Sequence, residues 1–108
     1  VLVVCDADSL AKCREWFIGL DTVALDCEGV HLGRMGKVSI IQLATKTAVY
    51  ILDVLDADAE SEIVGFAKSI LENEAITKLI HDCRADSDAL FHHFGITMVN
   101  VHDTQVVR

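Results

Sequence analysis

Between Thr22 and Val54 three apolar runs follow one another with connections too short to hold a helix. Beyond Val54 further apolar runs alternate with segments of helical period. Strands joined by tight loops pair antiparallel, whereas strands separated by a helix return parallel. A chain containing both arrangements is restricted to an α/β fold with a mixed sheet. An antiparallel three-strand meander continues into parallel strands, and helices flank the sheet.

The segments can be placed more closely. "VLVVCD" reads as an opening strand. "ADSLAKCREWFIGL" has Leu10, Cys13, Trp16, Phe17 and Leu20 at helical spacing, with Asp8 or Ser9 as N-cap; Trp16 and Phe17 are expected in the core. "TVALDCE" is a strand and "GVHLGRMG" a glycine-rich hairpin loop. "KVSIIQLAT" is a strand with Val38, Ile40 and Gln42 on one face and Ser39, Ile41 and Leu43 on the other. "TAVYILDV" pairs with it through a hairpin at Lys46 and Thr47. Ile63, Phe66, Ala67, Ile70 and Leu71 form one helical stripe. "AITKLIHD" is a strand, and "CRADSDALFHHFG" is a helix with apolar Leu90, Phe91 and Phe94 and a stop at Gly95. "ITMVNVHD" closes the sheet, with Asp103 placed to cap a helix starting at Thr104.

Composition narrows the function. The 108 residues suffice for one small domain, and 52% apolar content allows a real core. No apolar run approaches the length of a membrane helix. The absence of an initiator Met and the abrupt "DTQVVR" ending read as cuts from a longer protein. A net charge of -8 disfavours broad electrostatic gripping of phosphates, though not a site that holds phosphate through bound cations. Cys5, Cys13, Cys27 and Cys83 form no C-x-x-C pair, which points to a reducing compartment without disulfides. No spacing of His31, His81, His92, His93 or His102 with Cys83 matches a zinc site.

The chemistry gathers at "VALDCEG", where Asp26 and Glu28 share one face of a strand end and Cys27 points the other way. Paired carboxylates repel unless positive charge lies between them. Hard divalent cations take such oxygen ligands together with substrate phosphates. Phosphodiester cleavage assisted by two ions needs several acids converging on one spot. Asp82, Asp86 and Asp88 lie at the later strand-to-helix junction, within reach of such a spot. Each acid also has a plain structural reading: hydrated strand-end acids for the pair, and first-turn helix acids for Asp86 and Asp88.

"VALDCEG" with "KVSIIQLAT", then "LIHDCRADSDALFHHFGI" and "VNVHDTQ", resembles the DEDD 3'-5' exonucleases. Within them the chain is most similar to the ribonuclease D branch, and closest to the Egalitarian-like exonuclease-domain proteins. The resemblance implies a ribonuclease H-like fold and two divalent ions, Mg2+ or Mn2+. It puts the first motif on Asp26 and Glu28. It puts the second on Asp86, because His81, Asp86 and Leu90 fit that branch's spacing. These acids would be both catalytic and metal-holding. Asp103 matches a structural Asp-Thr pair.

In that family a third motif, a Tyr or His followed by the fourth Asp, is expected well downstream of these motifs, and residues 1–108 do not contain it. The expected unit at 1–108 is therefore a C-terminally truncated exonuclease domain, by itself inactive. The implied reaction releases nucleoside 5'-monophosphates from 3' ends of single-stranded RNA or DNA, with RNA favoured. The alternative is a catalytically inactive RNA-binding adaptor on the same fold. Gly29 is expected to let the terminal nucleotide approach the backbone, with Val30 and Leu32 packing on its base; the plain alternative is an ordinary glycine-rich hairpin. Arg84, Arg34 and Lys37 are candidate phosphate contacts. The implied setting is intracellular, cytoplasmic or nuclear, with no membrane partner.

Overall fold

A computed structural model describes residues 1–30, 32 and 36–105. Arg34 and the end of the helix expected from Thr104 lie outside the described residues. The elements follow the order β1 (Leu2–Val4), α1 (Ala7–Trp16), β2 (Thr22–Val30), β3 (Lys37–Ala44), β4 (Val49–Asp53), α2 (Glu62–Leu71), β5 (Thr77–Ile80), α3 (Arg84–Phe94) and β6 (Val101–Asp103). The six strands form one sheet ordered β1-β4-β3-β2-β5-β6. The meander β2-β3-β4 is antiparallel, while β1 on β4, β5 on β2 and β6 on β5 are parallel. This is the mixed sheet that the spacing of the apolar runs requires.

The core is one cluster. Val23, Leu25 and Cys27 of β2 lie with Ile41 and Leu43 of β3, Leu10 and Cys13 of α1, Val64 and Leu71 of α2, and Leu90 and Phe94 of α3. Phe17 meets Tyr50 and Phe66 edge to face, with ring centroids 5.1 and 5.4 Å away. Such geometry aligns ring edge with ring face and adds to the burial itself.

Four sequence expectations change. Asp6, not Asp8 or Ser9, caps α1: its side chain accepts from the Ser9 N–H while the Ser9 hydroxyl accepts from the Asp6 N–H, closing a capping box. Trp16 is 67% exposed, because it ends the helix one residue before the chain turns Phe17 inward. The strict alternation assigned to β3 fails because the register with β2 slips between Glu28 and Gly29. Ser39 becomes the extra residue of a bulge, so Val38 joins Ile41 and Leu43 in the core. The last strand shrinks to three residues. The chain before it crosses the end of α2, where the Val99 N–H donates to the Leu71 carbonyl at 3.1 Å and Asn100 takes a φ of 54°.

Candidate active site

The geometry of the site follows from where the β2–β5 ladder stops. β5 pairs with β2 only from Thr22 to Ala24. The chain leaves β5 at Ile80 and restarts as α3 at Arg84, so the β5-side edge of β2 beyond Ala24 has no strand on it. A backbone N–H left there must find another acceptor. The Cys27 N–H finds the Asp86 carboxylate, whose Oδ2 accepts it at 3.0 Å. A side chain from a helix thus replaces a missing strand carbonyl, between the two acids of the D-x-E pair.

Asp26 and Glu28 are both exposed on the same face, as alternation demands, while Cys27 between them is buried. Asp86 is 7% exposed. Burial raises its pKa above the ordinary carboxylate value, the Cys27 N–H opposes that rise, and the charges of Asp26 and Asp82 add to it. Burial, followed by the charges of Asp86 and Asp26, also pushes the Cys27 thiol far up, so it stays a neutral core group. A carboxylate held this way favours the arrival of positive charge.

The spacing of His81, Asp86 and Leu90 acquires a physical meaning. His81 Nδ1 lies 3.1 Å from Thr104 Oγ1, which ties the end of β5 to the end of β6. Asp86 reaches β2, and Leu90, one turn further on the same helix face, is fully buried. Asp82 instead occupies a left-handed turn with a φ of 57°, and its Oδ1 accepts from Arg84 Nε at 3.2 Å. Asp88 lies 3.3 Å from His92 one turn along.

Gly29 has a reason within the fold itself. A Cβ at this position would lie 1.8 Å from the Lys37 carbonyl oxygen. Val30 is 66% exposed at the tip of β2. Leu32 lines a groove of about 840 Å³ together with Asp82, Arg84, Asp88 and Phe91. Phe91, one of the apolar residues of this helix, is 55% exposed there. Its signal was available: Arg84, Asp88 and Phe91 recur at helical spacing on the face opposite Asp86 and Leu90. Lys37 is exposed at the start of β3.

All the candidate metal donors are carboxylate oxygens, the chemistry that suits a hard cation such as Mg2+ or Mn2+. Among the described residues, no three His, Cys, Asp or Glu side chains converge closely enough to cage an ion by themselves. Carboxylates of this kind suit ions that keep waters and share ligation with substrate phosphates. Also among the described residues, no helix is long and apolar enough to cross a membrane.

Comparison with known proteins gives a consistent picture. The family model described as 3'-5' exonuclease matches residues 3–108. The human piRNA biogenesis protein EXD1 is 40% identical over 86 residues, which is 80% of this chain and 16% of that protein. A Caenorhabditis elegans Egalitarian protein homolog is 38% identical over 88 residues, again 80% of this chain but 15% of its own length. The chain thus spans less than a fifth of the length of either relative. Among solved structures, Trypanosoma brucei RNase D in complex with RNA U12 superposes with a TM-score of 0.81 at 28% identity, over 96% of this chain and 37% of that one. Escherichia coli RNase D, an exoribonuclease involved in structured RNA processing, gives 0.78 at 27% identity, over 95% of this chain and 27% of that one. The mixed six-strand sheet is that of the RNase D-like exonucleases.

Proposed function

This chain belongs to the 3'-5' exonuclease family, and we propose that it is the part of a metal-dependent exonuclease that removes nucleoside 5'-monophosphates from the 3' end of single-stranded nucleic acid, RNA before DNA. The observation that carries the reading is the Asp86 carboxylate seated on the Cys27 N–H, which brings a third acid to the D-x-E pair from a separate element. Asp26, Glu28 and Asp86 would hold two divalent ions, Mg2+ or Mn2+. When bound, such ions lower the pKa of an attacking water and offset charge at the scissile phosphate. Asp26 and Glu28, exposed on one face, would turn their oxygens toward cations held between them and that phosphate. Asp86 would add a third carboxylate from α3. Gly29 and Val30 line the approach of the terminal nucleotide, and Arg84 meets a backbone phosphate. The relation to RNase D, whose complex with RNA U12 is known, supports RNA as the substrate. The four free thiols suit an intracellular, cytoplasmic or nuclear setting.

A second reading is a catalytically inactive RNA-binding adaptor on the same fold. One experiment separates the two. The intact protein is incubated with 5'-labelled single-stranded RNA and DNA in Mg2+ or Mn2+, beside an Asp26→Ala, Glu28→Ala variant. A ladder shortening from the 3' end, lost in the variant, supports the enzyme. RNA binding without a ladder supports the adaptor, and undiminished cleavage by the variant removes these acids from the mechanism.

A further inference from the structure

Between Ile80 and Arg84 the chain must leave a parallel strand and start a helix within three residues. It does so through Asp82 in the left-handed region, which a non-glycine residue occupies only at a cost. Cys83 holds the N-cap position of α3, yet its side chain makes no cap hydrogen bond. The turn before the helix is held instead from another strand. Asp103 at the end of β6 accepts the Asp82 N–H on Oδ1 and the Cys83 N–H on Oδ2, each at 2.9 Å. Its Oδ1 also accepts the Gln105 N–H at 3.0 Å. These backbone N–H groups hold the Asp103 carboxyl far below the usual range. Beside it the Thr104 N–H donates to the Ile80 carbonyl at 2.8 Å.

We infer that Asp103 is a positioning residue for Asp86. It does more than cap the segment that follows it, as its sequence position suggests: it reaches back across the sheet and fixes the phase of α3. A helix advances about 100° per residue, so a change in the starting turn would swing Asp86 off β2. With the turn pinned from β6, the Asp86 carboxylate arrives on the Cys27 N–H. Outer groups of this kind typically change metal affinity or activity by about 10–100-fold when removed. The catalytic consequence rests on the proposed exonuclease function; the positioning itself does not.

Two measurements on the intact protein keep these apart. With 15N-cysteine labelling, the Cys27 amide reports the Asp86 contact and the Cys13 amide, inside α1, reports overall stability. In Asp103→Ala the Cys27 amide is expected to exchange at least about tenfold faster, approaching its rate in Asp86→Ala, while Cys13 changes less than about twofold. Asp103→Asn, which keeps one acceptor oxygen, should recover part of the protection. Unchanged Cys27 protection, or equal acceleration at Cys27 and Cys13, overturns the inference. In the cleavage assay, the half-saturating Mn2+ concentration for Asp103→Ala should rise about 10–100-fold, with the KM for RNA moving less than about twofold. A rise in KM alone also overturns it. A wild type that neither cleaves nor responds to Mn2+ defeats the exonuclease reading, and the amide comparison still decides the role of Asp103.

Discussion

Replacing Gly29 with alanine should break the site from the backbone. The new Cβ would stand 1.8 Å from the Lys37 carbonyl oxygen, 2.8 Å from its carbon and 3.1 Å from the Val38 Cα. Non-bonded heavy atoms settle at roughly 3.5–4.0 Å, so β2 and β3 must separate here by more than about 1 Å. All three obstructing atoms are main chain, and no rotamer change clears them. A backbone hydrogen bond tolerates only a few tenths of an ångström of lengthening, so the Gly29–Val38 and Val30–Lys37 pairings are lost. Overpacking costs about 1–3 kcal/mol and each lost hydrogen bond about 1 kcal/mol, giving roughly 2–4 kcal/mol once partial relaxation is allowed. For a domain of this size that lowers Tm by roughly 10–30 °C. The assay is thermal unfolding followed by circular dichroism, with Gly65→Ala as control. Gly65 lies on the exposed side of α2 with nothing within 4 Å of an added Cβ, so alanine there should stabilise by about 0.5–1 kcal/mol. A Gly29→Ala Tm within about 3 °C of wild type would refute the clash and leave the approach of substrate as the reason for Gly29.

Asp86→Asn keeps an acceptor for the Cys27 N–H while removing a buried charge that Asp26 and Asp82 oppose. In EDTA at pH 7 this variant should melt above wild type, and a lower Tm would contradict the assigned environment. Burial raises the Cys13 thiol to about 11 from 9.0. Its stabilising contribution is complete below pH 9 and is lost as pH rises through about 11. Urea midpoints should therefore fall across that window, less steeply in Cys13→Ala; equal slopes would remove Cys13 as the cause. Leu90→Ala, at a fully buried position, should cost about 2–5 kcal/mol, whereas Trp16→Ser should stay within about 0.5 kcal/mol, both read from urea unfolding. A large loss at Trp16 would mean that its ring packs in solution.

The architecture was legible because it depends on spacing: connections too short for a helix make antiparallel neighbours, and helices between strands make parallel returns. The D-x-E pair was legible for a similar reason, since alternation alone aligns Asp26 with Glu28. The failures share a cause. The β3 faces were misassigned because a bulge moves the phase by one residue, and nothing in "KVSII" marks Ser39 as the extra one. Trp16 was placed inside because helical spacing was carried through Leu20, whereas the helix ends at Trp16 and the chain turns Phe17 inward instead.

Asp103 shows a deeper limit. Its sequence neighbours propose a local cap, and local capping is the commoner use of an Asp there. Its two shortest bonds run instead to residues 21 and 20 positions earlier in the chain. Such a contact exists only after β6 has paired with β5, at Ile80 with Asp103. Alternation and helical period describe the chain one element at a time. The contact between Asp86 and the Cys27 N–H is set by two ladders and a turn acting together, and becomes readable only when the sheet is assembled.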